Sequence, residues 1–82
     1  MYQTIDEPVA VVGIYTQGHF QPKKFQWRQK TFKIEEVTSV HNFKDGTVAK
    51  RRFAVMAHRQ LFLLEFNRSL ETWSLAQLWV EG

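Results

Sequence analysis

Apolar and polar residues alternate with a period of two along most of this chain, the spacing that places successive side chains on opposite faces of a β-strand. Residues 8 to 15, PVAVVGIY, are rich in β-branched residues and open with a proline, so they predict a first strand beginning at Pro8. Gly18 and Pro22 then mark a loop. If any part of the chain is disordered, we expect it at the ends, within residues 1 to 7.

A hairpin is predicted in the stretch KKFQWRQKTFKIEE, residues 23 to 36. Phe25 and Trp27 share one face of an extended segment, and Phe32 and Ile34 resume the alternation after a short turn. The basic residues between them take the other face. The alternation therefore predicts that these rings, including that of Trp27, are buried in the core.

A bend and a second hairpin follow. Two consecutive glutamates break the alternation at residues 35 to 37, which predicts a bulge or a strong bend. Residues 52 to 68, RFAVMAHRQLFLLEFNR, alternate on both sides of a short connection and predict two paired strands. Leu61 and Leu63 lie on the face opposite the alternating phenylalanines, which indicates that part of this strand is covered on both sides.

The last segment, residues 69 to 80, allows a strand or a helix. Ser69 is a suitable N-cap for a helix beginning at Leu70. On a helical wheel, however, the apolar residues scatter around the circumference and form no stripe. The pattern favours a strand with a register change near Ala76 and Gln77, with the helix as the alternative.

These elements predict one all-β domain spanning residues 1–82. The expected architecture is a small antiparallel, SH3-like or OB-like half-open barrel of five to six strands, and the alternative is an antiparallel sheet with one C-terminal helix. Cysteine is absent, so packing alone must stabilise the fold, as suits a cytoplasmic protein. The chain shows no basic leader and no apolar stretch long enough for a membrane helix, so no membrane partner is expected.

The ionisable residues show no catalytic constellation. His41 and His58 lie in separate contexts, and no histidine pair has the spacing of a helical metal site. Glu35 and Glu36 are neighbours, so on a strand they point to opposite faces. Without a glycine elbow or a phosphate loop, the sequence predicts no catalytic residue, no metal, no cofactor and no enzyme. An enzyme would require folding to bring one of these histidines beside one of these glutamates.

Positive charge supplies the leading functional hypothesis. The net charge is +3, and the basic residues are clustered. Aromatic residues lie among them, the combination that binds single-stranded nucleic acid through phosphate contacts and base stacking. Tyr15 and Phe20, near a loop, are the candidates for exposed stacking. The predicted module is non-catalytic and binds DNA or RNA through a basic rim composed of Lys23, Lys24, Arg28, Lys30, Lys50, Arg51, Arg52 and Arg59.

The alternative hypothesis is a module for protein–protein interaction or self-assembly. An exposed strand edge, or an apolar patch containing Leu61, Leu63, Leu78 or Trp79, would then contact another protein chain or a second copy of this one. The chain has more apolar side chains than one small barrel interior readily holds, which favours such a patch.

The stretch GHFQPKKFQWRQKTFKIEEV resembles a family of small uncharacterised bacterial domains. The family pattern is a proline, then Phe-x-Trp-Arg, a tight turn, an aromatic, x, a β-branched residue and Glu-Val, with a later Trp-x-Leu strand. Here these positions look like Pro22, Phe25, Trp27, Arg28, Phe32, Ile34, Glu36, Val37, Trp73 and Leu75. The chain departs from the pattern at Gln29, where glycine is frequent, and at Phe43, where the aromatic is offset. Some members form a C-terminal extension of lesion-bypass DNA polymerases, so the resemblance implies nucleic acid as a neighbour.

Overall fold

The computed structural model describes residues 1–81, and this part of the chain contains eight strands and no helix. The all-β prediction is therefore confirmed, with more strands than the five to six expected. The strands are β1 (Tyr2–Pro8), β2 (Ala10–Thr16), β3 (His19–Trp27), β4 (Lys30–Lys33), β5 (Glu36–Asp45), β6 (Val48–Ala57), β7 (Gln60–Asn67) and β8 (Thr72–Trp79).

The strands form two antiparallel sheets. The larger has the order β1-β8-β7-β6-β5 and the smaller has the order β2-β3-β4. Only Val9 separates β1 from β2, and its N–H donates to the carbonyl of Trp73 at 3.2 Å. Ile34 and Glu35 separate β4 from β5, and their N–H groups donate to one carbonyl in each sheet, those of Lys23 and Met56. Residues 2–16 and residues 30–45 are each extended, and each stretch passes from one sheet to the other. Each stretch therefore counts as two strands, which accounts for the strands beyond the five to six expected.

The chain begins as a strand, ahead of the start predicted at Pro8. Tyr2–Pro8 form β1, which pairs with β8, so the segment considered for disorder is an edge of the larger sheet. Its side chains are mostly exposed, with Ile5 and Glu7 partly buried. This strand is held mainly by main-chain hydrogen bonds to β8. Because most of its side chains are exposed, its sequence does not show the alternation of apolar and polar residues that predicts a strand.

The last segment is a strand, which confirms the favoured interpretation of residues 69 to 80. Leu63 pairs with Gln77 while Leu64 pairs with Leu75, so Ala76 is an extra residue on β8. This bulge lies at the predicted register change. It turns both Leu75 and Leu78 toward the core, where each is buried.

Aromatic rings from both sheets form the core. Phe25 and Phe32 of the first hairpin stack with ring centroids 5.0 Å apart, and Phe62 of the larger sheet packs against Phe25 at 5.1 Å. Trp27 is partly buried, because its indole N–H reaches the rim and donates to Glu7. Burying each large ring stabilises the fold by roughly 1.5–3 kcal/mol. The buried core cluster comprises Phe25, Phe32, Phe53, Val55, Ala57, Phe62, Leu64, Leu75 and Leu78.

Candidate binding cleft between the sheets

An open cleft lies where the two sheets diverge. Strand β4 pairs with β3 only over Lys24–Trp27, and the chain then crosses to the larger sheet. The first half of β3, residues 19 to 23, therefore has β2 on one side and no strand on the other. Strand β5 is likewise an edge, paired only with β6. We call the space between these two open edges the inter-sheet cleft.

The inter-sheet cleft has a volume of about 610 Å³ and mostly apolar walls. Val37 and Val40 project from β5 with 36% and 49% of their surface exposed, and Phe53 lies at the base. Both valines face the same side because Thr38 is an extra residue on β5, close to the predicted bulge. The complete lining is His19, Phe20, Gln21, Pro22, Lys23, Val37, Val40, Asn42, Arg51 and Phe53.

A series of rings leads from the surface to the core beside this cleft. Tyr15 is 78% exposed and packs against Phe20 at a centroid distance of 5.1 Å. Phe20 contacts Trp73 at 5.7 Å, and Trp73 contacts Phe53 at 5.3 Å. A smaller cavity of about 100 Å³ lies between these rings and shares Phe20, Phe53 and Arg51 with the cleft.

Gly13 allows Phe20 to take this position. A Cβ added to Gly13 would lie 2.6 Å from Cζ of Phe20 and would also collide with the carbonyl oxygen of Gln21. Only a residue without a side chain permits this close approach of β2 to β3. The glycine in PVAVVGIY therefore positions an aromatic wall of the cleft.

Arg51 is one of the basic residues that line the cleft. It is partly buried on β6, two residues from Phe53 and thus on the same face of the strand. Its Nε donates to Oδ1 of Asn42 at 2.7 Å, and within residues 1–81 it forms no salt bridge. Lys23 and His19 also line the cleft, and no Asp or Glu does. The described lining is therefore positive without a compensating carboxylate.

The other basic residues of β6 face away from the cleft. Lys50 lies 3.1 Å from Asp45 and 3.8 Å from Glu65, and Arg52 forms a short ion pair with Glu65. The guanidinium of Arg52 also lies over the ring of Phe43, 5.1 Å from its centroid. Consecutive strand residues point to opposite faces, so the cluster from residue 50 to 52 is divided between them.

Arg28 is neutralised at the other end of the molecule. It donates to both carboxylate oxygens of Glu7, at 2.9 and 2.5 Å, and its guanidinium lies 4.6 Å from the ring centre of Trp27. These hydrogen bonds from Arg28, followed by that from the Trp27 indole, hold the pKa of Glu7 below its ordinary value. Glu7 in turn raises the pKa of Arg28.

Three other residues of the predicted basic rim lie outside the inter-sheet cleft. Lys24 is exposed and directly opposite Lys33 on β4. Lys30 lies over the ring of Phe32, 5.2 Å from its centroid. Arg59 is in the β6–β7 turn beside a separate open cavity of about 340 Å³. Of the eight residues predicted to form one basic rim, only Lys23 and Arg51 are brought together in the cleft.

Sequence patterns did not indicate Asn42, Val37 or Val40 as site residues. They belong to the site because β5 is an open edge, and that depends on where β4 ends. The histidines and glutamates of the enzyme alternative, His41, His58, Glu35 and Glu36, do not line the inter-sheet cleft. Within residues 1–81 no cluster of His, Asp or Glu is suited to a metal ion. No membrane-spanning helix occurs in the same residues.

Comparison of this chain with protein-family models, with curated proteins and with solved structures found no match. The resemblance noted in the sequence therefore stays a prediction.

Proposed function

We propose that this protein is a non-catalytic interaction module whose inter-sheet cleft binds an extended segment of another polypeptide. The observation that carries the proposal is the pair of open strand edges, β5 and the first half of β3, on either side of an apolar cleft. An edge strand presents unpaired N–H and C=O groups to an incoming strand. A segment that pairs with β5 would satisfy the outward main-chain groups of that strand and bury the exposed valines.

Apart from its bulge at Thr38, the middle of strand β5 lacks the features that usually protect an edge. It has ten residues, nearly all exposed, and its middle section TSVHNF contains no proline and no Lys, Arg, Asp or Glu. The opposite edge, β1, carries Asp6, Glu7 and Pro8 together with a register shift. Addition of a strand to an exposed edge is a recurrent way of binding peptides, with main-chain hydrogen bonds giving affinity.

Alternate side chains of the bound segment would provide specificity. An extended peptide turns every second residue toward the sheet to which it pairs. Those residues would meet Val37, Val40, Phe20 and Phe53, so the cleft favours apolar side chains at these positions. Each apolar side chain transferred into the cleft contributes about 25 cal/mol per Å² of surface buried.

Selection from a displayed library of random 12-residue peptides tests this function. Wild-type protein is expected to enrich peptides with alternating apolar residues. Val40→Lys places a charge in the cleft wall and should reduce the affinity of the enriched peptides at least about tenfold, equivalent to 1.4 kcal/mol. Val12→Lys, which changes a valine that is 55% exposed outside the cleft, should leave the affinity unchanged.

Two results would contradict the proposal. One is the absence of any peptide enriched on wild-type protein. The other is equal loss of binding in both lysine variants, which would place the binding surface outside the cleft or reflect general repulsion.

Single-stranded nucleic acid is the second candidate ligand. The exposed ring of Tyr15 lies against Phe20, a lining residue of the cleft that also contains Lys23 and Arg51. Rings beside cations are the combination on which bases stack while phosphates are neutralised. The structure separates the remaining predicted cations from this cleft, so the expected contact with phosphates is small.

A salt titration measures that contact. If Lys23 and Arg51 each neutralise one phosphate, the logarithm of the binding constant for labelled single-stranded oligonucleotides should fall with the logarithm of salt concentration at a slope of about −1.4. Tyr15→Ala should weaken this binding. No binding at low salt, or binding without salt dependence, excludes the phosphate-dependent mode.

A further inference from the structure

Arg51 differs from its neighbours on β6 in the chemistry of its partner. Lys50 and Arg52 each contact the carboxylate of Glu65, whereas Arg51 contacts the neutral amide of Asn42. Asn42 pairs with Arg51 across β5 and β6, so the two side chains share one face of the sheet. The amide fixes the Nε end of the guanidinium and leaves its positive charge without a counterion in the described chain.

This arrangement prepares the guanidinium for a ligand. Guanidinium presents a rigid fork of donors that matches the two oxygens of a carboxylate, and Nε is the donor already engaged. Arg51 lines both the large cleft and the smaller aromatic cavity, so a group entering either one meets its side chain. Partial burial strengthens such a contact, because less water screens the two charges.

We infer that Arg51 is the oxyanion-binding residue of the inter-sheet cleft and that it binds the carboxylate of an aspartate or glutamate in the bound polypeptide segment. Lys23, on the opposite wall, provides a second positive charge. The inference rests on the proposed function for its ligand. It adds a sequence requirement, since the preferred segment combines apolar residues with one acidic residue.

Charge complementarity and the open edges together favour a polypeptide carboxylate. The lining contains Arg51, Lys23 and His19 and no acidic residue. A phosphate would use the same cations, but it would leave the unpaired main-chain groups of β5 and the two exposed valines without partners. The carboxylate of an extended chain accounts for both features.

Small anions test the site without a peptide. Acetate is titrated into ¹⁵N-labelled protein at constant ionic strength, and the resonances of the arginine Nε–H groups and of the cleft amides are followed. The Arg51 resonance should shift to saturation with half-saturation between about 5 and 100 mM, the affinity that corresponds to a charge-assisted hydrogen bond. The resonances of Arg52 and Arg59 should not saturate. Equal, unsaturated shifts at all three arginines would overturn the inference.

Substitutions assign the effect to the guanidinium fork. Arg51→Gln should abolish saturation at the amides of Asn42 and Phe53, and Arg51→Lys should weaken acetate several-fold because it keeps the charge and loses the fork. Arg52→Gln is the matched control on the adjacent position and should leave acetate binding unchanged. Retention of saturable binding in Arg51→Gln would contradict the assignment.

Two further comparisons separate the possible sources of the oxyanion and the two proposals. Saturation by methyl phosphate but not by acetate would reject the carboxylate assignment and favour nucleic acid.

The second comparison uses the peptides selected by wild-type protein. Replacing the acidic residue of such a peptide with its amide should lower the affinity of the peptide for wild-type protein and leave its affinity for Arg51→Gln unchanged. Selected peptides without an acidic residue would overturn this inference and leave the proposed function intact. Acetate binding without any selected peptide would overturn the proposed function and the polypeptide ligand, and would leave only the oxyanion site at Arg51.

Discussion

Three arginines differ in whether a carboxylate neutralises the charge of the guanidinium. Arg28 is held by both oxygens of Glu7, and Arg52 is paired with Glu65. Arg51 is oriented by an amide and keeps an uncompensated charge within the described chain. Arg51 and Arg52 are adjacent residues of the same type, so the difference between their partners arises from the strand face on which each lies.

The pair formed by Glu7 and Arg28 predicts a pH-dependent contribution to stability. Arg28 lowers the pKa of Glu7 below its ordinary value of 4.5, which unfolding restores. The folded state therefore favours the ionised carboxylate, and the contribution is complete above the ordinary pKa. It is lost as the pH falls through the folded pKa.

Denaturant unfolding of Glu7→Gln and wild-type protein over a series of pH values measures this contribution. Wild-type protein should be the more stable at neutral pH, and its advantage should decline below about pH 5. Glu36→Gln, at an exposed glutamate outside the salt bridges of residues 1–81, controls for the loss of one negative charge. An advantage over Glu7→Gln that stays constant into the acid range would contradict the ion pair.

The residues of the candidate site could be predicted only in part. Charge clustering identified Lys23 and Arg51, but only Lys23 lies near Phe20 in the sequence. Clustering could not separate Arg51 from Arg52, because that requires the pairing of β6 with its neighbours. Asn42 gave no signal, since an asparagine within a polar stretch is ordinary until its cross-strand partner is known.

At the level of single elements, the tight turns carry backbone strain. Both central residues have positive φ in the turn after β3, at 51° for Arg28 and 64° for Gln29, and in the turn after β6, at 49° for His58 and 59° for Arg59. Such turns match the twist of paired strands but favour glycine or asparagine. Four non-glycine residues in these turns therefore have a left-handed backbone conformation, which costs roughly 1–2 kcal/mol per residue.

Gln29→Gly should stabilise the protein by about 1 kcal/mol, because glycine removes the penalty of the left-handed conformation. Gln29 is the better target, since Arg28 also holds Glu7. Thr31→Gly, placed within β4, is the control and should destabilise the protein by roughly 0.5–1 kcal/mol. Thermal and denaturant unfolding measure both changes. A less stable Gln29→Gly protein would contradict this account of the turn.

The hairpins were predictable because alternation and turn chemistry are local. Phe25 and Phe32 were expected to share a face, and they stack in the core. The boundary between β1 and β2 at Val9 could not be predicted, because PVAVVGIY is uniformly apolar and the passage from one sheet to the other does not change the local sequence pattern. The strand formed by residues 2 to 8 was missed for a related reason, because its partner β8 lies at the other end of the sequence.

At the scale of the whole molecule, the two sheets pack through their rings at one end and separate at the other. Phe25, Phe32 and Phe62 join the sheets beside β4. Past the end of β4, the two open edges leave the inter-sheet cleft. The all-β class and the inward rings followed from the sequence, but the cleft depends on the point at which one strand ends and the chain changes sheets.

The central claim is that this cleft is the binding surface of the protein, and chemical-shift mapping of a selected peptide tests it most directly. Amide resonances of residues 19 to 23 and 37 to 42, together with the Arg51 Nε–H group, should change on binding, with new protection from exchange along β5. Changes confined to the outer cations Lys24, Lys30 and Arg59, or to the far end near Arg28, with the cleft resonances unmoved, would contradict it.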